Sequence, residues 1–185
     1  MRSGLSQVRY KWPRKPATSA NIHKTAKRLF QKAVEARYMI GRSYDVLKAA
    51  TLYAAYRMHG EPITIDALAD RLDVSRKELA ATYRMIVQKF KLKPQADSPE
   101  RYVAKHARMF GKRNAEKALE ILARAREAEI HLGKKPACLA AAALYLASGG
   151  QLLQKDLAKF FGVSGVGVRL STEALRPFLL DGGRP

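Results

Sequence analysis

The chain has 185 residues, 47% of them apolar, and its 35 basic and 16 acidic side chains leave a formal net charge of +19. The apolar content excludes a wholly disordered chain, the lack of an apolar run of roughly 20 residues excludes a membrane-spanning helix, and a single cysteine, Cys138, excludes an internal disulfide and a multi-cysteine metal site. The charge indicates a polyanionic partner, because solubility alone needs a net charge of only about 2 to 8. No apolar segment of a secretory signal opens the chain, so we expect a cytoplasmic protein.

Residues 1–18 are predicted to form an extended basic arm, because Pro13 and Pro16 resist a continuous helix. Trp12 lies between basic residues, and two interpretations stay open: stacking on a base or sugar of a nucleic acid, or packing on the first folded unit. The arm cations that we expect to contact DNA are Lys11, Arg14 and Lys15.

Two helices are predicted after the arm. Apolar residues at intervals of three and four indicate an amphipathic helix from Ser19 to Ile40, ended by Gly41. A nearly all-apolar helix follows from Ser43 to Met58. Because this second helix has no polar face, we expect it at the centre of the first unit.

Two short helices come next, with Thr64 capping one and Ser75 capping the other. The tight turn Leu72-Asp73-Val74 between them is typical of a helix-turn-helix. Residues 93–98 form the predicted linker to a second unit. In that unit we expect an opening helix from Pro99 to Phe110 and four further helices near residues 113–131, 135–148, 152–160 and 164–177.

One pattern occurs twice, 92 residues apart. GRSYDVLKAATLYAAY begins at Gly41 and GKKPACLAAAALYLAS begins at Gly133, and the match continues upstream in step. Downstream, a shortening by three residues keeps Leu68 opposite Leu157 and Ser75 opposite Ser164. A long repeat of this kind predicts an all-α protein of two tandem units. The predicted boundaries are the arm at 1–18, a first unit at 19–92, the linker, a second unit at 99–180 and a tail at 181–185.

The segments GRSYDVLKAATLYAAYRMHGEPITIDALADRLDVSRKEL, DSPERYVAKHARMFG and GKKPACLAAAALYLAS resemble the tandem cyclin-like repeats of archaeal transcription initiation factor B, the counterpart of eukaryotic factor IIB. The resemblance covers roughly residues 20–178 and implies two five-helix cyclin-like units. The opening helix of the first unit is degenerate or missing, because RYKWPRKP departs from the helical pattern.

That resemblance also implies partners: a TATA-box-binding protein seated on double-stranded promoter DNA, an element upstream of the TATA box, and RNA polymerase. Members of the family normally begin with a zinc ribbon, which needs four Cys or His ligands. The lone Cys138 cannot supply them, so we expect either a short paralogue or a core excised from a longer protein.

Site residues follow from the resemblance position by position. In the predicted recognition helix SGVGVRLSTEAL, Val166 and Arg169 match the positions that reach base edges, although Val166 alone would be interpreted as a core residue. An arginine can give two hydrogen bonds to guanine. Gly165 and Gly167 are expected to weaken this helix locally. The expected phosphate contacts are Gln154, Lys155, Lys134, Lys135, Arg101 and Lys105, and the expected contacts to the TATA-box-binding protein are Arg57, Arg76 and Lys77.

Two functions stay open from the sequence. The first is a monomeric promoter-binding initiation factor or regulator, associated with the nucleoid. The second is a cyclin-like interaction module for a kinase or a polymerase subunit, with only non-specific affinity for DNA. An enzyme is disfavoured and no cofactor or metal is predicted, because the four histidines are scattered and Gly133-Lys134-Lys135 lacks the preceding glycine of a phosphate-binding loop.

Overall fold

The computed structural model describes residues 20–38 and 41–179. Every regular element within these ranges is helical, which confirms the predicted all-α class. The helices are α1 Ala20–Glu35, α2 Tyr44–Met58, α3 Ile65–Leu72, α4 Arg76–Lys89, α5 Pro99–Phe110, α6 Lys112–Glu127, α7 Pro136–Ala147, α8 Gln154–Phe161 and α9 Gly165–Leu175, and α9 continues into a 3-10 turn at Arg176–Phe178. None of them has the length and apolar character that crossing a membrane requires.

Short polar side chains cap the starts of α3 and α4, as the sequence predicts. The Thr64 hydroxyl accepts a hydrogen bond from the Ala67 amide at 3.2 Å, and the Ser75 hydroxyl accepts one from Glu78 at 3.4 Å. Each of these hydroxyls satisfies an amide that has no partner inside its own helix. Asp73 adopts a left-handed conformation, with φ 51°, and makes the tight turn between α3 and α4.

The predicted extent of α1 is wrong at its end. The helix stops at Glu35 rather than continuing to Ile40, a residue outside the described ranges. Arg37 takes a left-handed φ of 57°, and the Tyr38 amide turns back to the Ala33 carbonyl at 2.9 Å. This hydrogen bond closes the helix end without the glycine that usually does so.

Helix α6 ends in the same way, at Glu127 instead of the predicted residue 131. Glu129 has a φ of 56°, and the Ile130 amide donates to the Ala125 carbonyl at 2.9 Å. Since Glu129 lies 92 positions after Arg37, the two units share even this unusual helix end.

The three-residue shortening that separates the two repeats lies at the end of the central helix. Helix α2 has 15 residues and α7 has 12, whereas α3 and α8 both have eight. Further on, α4 matches α9 together with its 3-10 turn in length. The helices that are described in both units therefore match in length, apart from the last turn of α2.

Each unit is built around its most apolar helix. Residues 46–56 of α2 and residues 137–144 of α7 are all buried, which confirms the central position predicted for the first of them. Helix α2 packs against α1, α3 and α4, and α7 packs against α5, α6, α8 and α9. In the first unit, the counterpart of α5 would fall within residues 1–18, so the predictions of the basic arm and of a degenerate opening helix lie outside the described residues.

The two units touch at the start of α3 and the end of α8. The Thr64 hydroxyl donates to the Phe161 carbonyl at 2.9 Å. Gly162 follows with a φ of 60°, and a Cβ atom there would come within 2.8 Å of the Ala67 Cβ atom. The backbone angle favours glycine at this position, and the close approach of Ala67 excludes a side chain there.

Candidate nucleic-acid and protein interfaces

The second unit carries an exposed helix-turn-helix formed by α8 and α9. The Ser164 hydroxyl caps α9 by accepting a hydrogen bond from the Gly167 amide at 3.1 Å. The inner face of α9 is buried through Val168, Ser171, Thr172 and Leu175. Its opposite face is therefore presented outward along the whole length of the helix.

That outward face includes Val166, Arg169, Leu170 and the acidic Glu173. Val166 is 59% exposed and Leu170 is 54% exposed, and the Arg169 side chain is also exposed. Within the described residues, the Arg169 guanidinium group has no hydrogen-bond or ion-pair partner. An arginine with free donors between exposed apolar side chains is the combination that recognises base edges in the major groove, so this face has the composition of a DNA-contact surface.

Gly167 allows α9 to sit close to α7. A Cβ atom at Gly167 would lie 2.9 Å from the Cys138 sulfur and 3.0 Å from the Ser164 hydroxyl oxygen, whereas one at Gly165 would meet nothing within 4 Å. Cys138 is buried, as predicted, and burial raises the pKa of its thiol. The sequence suggests only that these glycines weaken α9, and it does not reveal that Gly167 has this packing role.

Four further residues of the second unit are expected to contact phosphates. Gln154 uses its amide nitrogen to donate to the Thr172 hydroxyl at 3.3 Å, so it ties α8 to α9. Lys155 is exposed at the start of α8, and Lys135 is exposed at the start of α7. Lys134 is partly buried. Their contacts with DNA stay predictions.

Arg101 and Lys105 of α5 join the two units. Arg101 donates to the Gly60 carbonyl at 3.2 Å and to the Gln95 side-chain oxygen at 2.9 Å. Lys105 donates to the Pro62 carbonyl at 3.1 Å and lies 2.7 Å from a carboxylate oxygen of Glu61. Both cations therefore have partners inside the chain, but only Lys105 has a carboxylate among them, and the phosphate contacts expected from the resemblance stay predictions.

Arg57 is held by the linker between the units. Its guanidinium group donates to the Gln95 carbonyl at 3.0 Å and to the Tyr53 hydroxyl at 3.4 Å, and it lies 3.9 Å from the Asp97 carboxylate. The Tyr102 hydroxyl donates to the same carboxylate at 3.0 Å. Burial, followed by the charge of Asp97, raises the pKa of Tyr102. Arg57 thus fixes the linker in place, and its contact with a partner protein stays a prediction.

At the start of α4, one of the two expected cations is compensated inside the chain. Arg76 forms an ion pair with Asp66 of α3. A cation in the first turn of a helix is unfavourable unless an acidic group lies nearby. Asp66 supplies that group within the first unit. Lys77 is exposed, and within the described residues it has no ion-pair partner. Lys11, Arg14 and Lys15 lie outside the described residues.

A cleft of about 300 Å³ between the units was not predicted. Phe160 and Phe161 of α8 line it together with His106 of α5, and the His106 and Phe160 rings meet edge to face at 4.8 Å. Burial and the charge of Lys105 lower the pKa of His106. No periodicity in the sequence brings α5 and α8 together, because their residues are about 50 positions apart. Among the described residues, no cluster of three or more His, Cys, Asp or Glu side chains is arranged to hold a metal ion.

Comparison with known proteins accounts for this arrangement of repeated units. The family model for the transcription factor TFIIB repeat matches residues 16–89 and again residues 94–173. The chain belongs to this family. Its two units are tandem TFIIB repeats, which are cyclin-like, and the resemblance drawn from the sequence is confirmed.

Archaeal relatives bearing the name transcription initiation factor IIB show the same similarity. The protein of Archaeoglobus fulgidus is 38% identical over 154 residues, that of Pyrodictium occultum 39% over 150 and that of Methanothrix thermoacetophila 36% over 156. These matches cover 80%, 78% and 82% of this chain and 47%, 48% and 46% of the relatives. The chain therefore spans about half the length of the relatives it matches, and their name is that of a transcription factor rather than an enzyme.

Proposed function

We propose that this chain acts in transcription initiation by binding double-stranded promoter DNA, with the outward face of α9 in the major groove. The observation that carries the proposal is the unpaired, exposed Arg169 on the second helix of a helix-turn-helix, between the exposed Val166 and Leu170. Such a helix has the diameter and the composition to enter the groove of B-form DNA.

The three side chains suit direct recognition of bases. A guanidinium group donates two hydrogen bonds to the O6 and N7 atoms of guanine, and this pairing discriminates against other bases by about 1–3 kcal/mol. Val166 and Leu170 can make apolar contacts with the methyl groups of thymine. The proposed site is therefore a short element with guanine and thymine in neighbouring positions, adjacent to the TATA box.

The second part of the proposal is a TATA-box-binding protein that the first unit contacts while both proteins are on the DNA. Lys77 is the best-placed of the three expected contacts, since Arg57 and Arg76 have carboxylate partners within the chain. The names of the archaeal relatives support a role in transcription initiation. RNA polymerase is a third proposed partner, which this complex would recruit.

Arg169→Ala tests the recognition of bases. Duplexes selected from a random pool by the unmodified chain provide the preferred site, and unselected duplexes provide the reference. We expect the variant to lose about 1–3 kcal/mol on the preferred site, a factor of roughly 5 to 150, and much less on unselected DNA.

Arg84→Ala is the matched control, because Arg84 is an exposed cation on α4, the corresponding helix of the first unit. It should weaken both classes of DNA alike. An equal loss on selected and unselected DNA for Arg169→Ala would assign Arg169 to the backbone and reject its role in specificity.

One observation favours the alternative of a cyclin-like interaction module. Met109 is 65% exposed and Phe160 is 39% exposed beside the cleft between the units, and exposed apolar groups of this kind attract protein partners. On this alternative, Met109→Ser would abolish binding of a kinase or polymerase subunit while specific DNA recognition would be absent. A DNA preference lost in Arg169→Ala and kept in Met109→Ser excludes it.

A further inference from the structure

Helix α1 exposes a stripe of four cations, which we call the α1 stripe and define as Lys24, Lys27, Arg28 and Lys32. All four are exposed, and no acidic residue occurs between the first and the last of them. The opposite face of the helix is buried through Ile22, Ala26, Leu29 and Ala33. The cations therefore point away from the body of the first unit.

Within the described residues, no cation of the α1 stripe has an ion-pair partner. Lys24 and Arg28 are four residues apart, as are Arg28 and Lys32, so like charges stand next to each other along the helix. Each such pair destabilises a helix by about 0.2–0.5 kcal/mol. The stripe thus costs stability within the chain, and a polyanion would remove that cost.

The second unit provides an internal comparison at the same positions. Helix α6 corresponds to α1 at an offset of 92 residues, and it has Glu116 where α1 has Lys24 and Glu120 where α1 has Arg28. Glu116 forms an ion pair with Lys112 at 3.8 Å. Because the fold accepts carboxylates at these two positions, the cations of α1 are not needed to build the repeat.

We infer that the α1 stripe is a second DNA contact, which holds the phosphate backbone of duplex DNA without regard to sequence. From Lys24 to Lys32 the helix rises about 12 Å, at 1.5 Å per residue, and duplex DNA carries one negative charge per about 1.7 Å of its axis. Several phosphates therefore lie within reach of the four flexible side chains.

The composition of the stripe favours DNA over an acidic protein. Protein interfaces are depleted in lysine at their centre and enriched in aromatic residues, methionine and arginine. The exposed face of α1 contains no large apolar side chain, whereas α9 exposes Val166 and Leu170. The two faces then have different tasks: α9 reads bases and the α1 stripe supplies electrostatic attraction.

The double variant Lys24→Ala/Arg28→Ala tests the inference with the full chain and a random-sequence duplex, in the absence of any other protein. The affinity is measured at several salt concentrations. Each phosphate contact contributes a slope of about −0.9 to the logarithm of affinity against the logarithm of salt. We expect the slope to become shallower by about 1.8 and the affinity to fall equally on all sequences.

Lys112→Ala/Lys117→Ala removes the same charge from α6 and is the matched control. Thermal unfolding followed by circular dichroism checks that both variants keep the fold. A change of slope no larger than that of the control would overturn the inference. So would an unchanged slope on DNA combined with lost binding to an acidic protein, since the stripe would then be a protein contact.

The inference rests on DNA binding but not on base recognition, and the two can fail separately. Arg169→Ala should change the salt slope on random DNA by no more than the slope of one phosphate contact, about 0.9. It should also remove the preference for selected sites. A shallower salt slope in Lys24→Ala/Arg28→Ala, combined with no sequence preference in the unmodified chain, would support the DNA contact of the α1 stripe. The same result would reject the proposed function.

Discussion

The helix-turn-helix pairs α3–α4 and α8–α9 have matching turns and caps but different outer surfaces. Ser75 and Ser164 cap the second helix of each pair in the same way. On the outer side of those helices, the exposed Lys77 of α4 corresponds to the exposed Val166 of α9, and the partly buried Ala80 corresponds to the exposed Arg169. The repeat thus preserves what closes and caps the helices, while the solvent-facing positions are free to differ between the units.

The contacts that hold the first turns of α4 and α9 differ as well. Helix α4 begins with Arg76, whose charge is balanced by Asp66 of the helix before it. Helix α9 begins with Gly165, and its third residue is Gly167, which lets the helix approach the Cys138 sulfur of α7. In the first unit an ion pair therefore holds the start of α4, and in the second unit close packing against α7 holds the start of α9.

Gly167→Ala should break that packing and gives the largest expected effect. The added methyl group would overlap the Cys138 sulfur, and overpacking of this kind costs about 1–3 kcal/mol. Gly165→Ala is the control: nothing lies near its Cβ position, so we expect a stabilisation of about 0.4–1 kcal/mol.

Urea unfolding of both variants measures the difference. If Gly167→Ala were as stable as Gly165→Ala, α9 would not depend on its close approach to α7. A double variant Gly167→Ala/Cys138→Ala should regain part of the loss, because the sulfur atom that clashes is then removed.

Ser75→Ala and Ser164→Ala should cost about 1 kcal/mol each, because each removes one side-chain cap from an exposed helix start. The two losses are expected to agree, since the same cap begins the same helix in each unit. Urea unfolding measures both. A loss in only one unit would mean that the repeats do not share the energetics of this turn.

The smallest expected effect is a dependence of stability on pH that resides in the second unit. Burial and then Lys105 lower the pKa of His106, while Glu61 opposes the shift. The unfolded chain therefore binds the proton more readily, so stability decreases as the pH falls below the ordinary histidine value of about 6.5.

Replacing His106 with Phe keeps a ring against Phe160 and removes this titration. Melting temperatures between pH 7.5 and 5.5 should then fall less steeply than in the unmodified chain. An unchanged pH dependence would show that His106 does not contribute to it.

Patterns between neighbouring residues were enough to predict the helices and their caps. Thr64 and Ser75 cap their helices as predicted, and the repeat places Leu68 and Leu157 in matching cores. Local patterns failed at the end of α1, because Arg37 adopts a left-handed angle that its residue type rarely takes. The helix end is set by the hydrogen bond of Tyr38 rather than by a glycine.

Contacts between distant segments could not be predicted in this way. The sequence gives no sign that Arg101 and Lys105 face the loop after α2, or that Gly167 meets Cys138. The outward direction of Val166 could be inferred only from the family resemblance, because a valine in a helix is usually buried. The sequence shows which residues are cations, but the groups that each cation contacts depend on how the two units pack together.

The most direct test of the account is the affinity of the chain for promoter DNA with and without the TATA-box-binding protein, each over a range of salt concentrations. We expect a cooperative gain of about 5- to 150-fold when both proteins are present, the usual size of coupling between two sites. The gain should shrink in Lys77→Ala and persist in Arg84→Ala. Equal affinity with and without the second protein, at every salt concentration, would contradict the account.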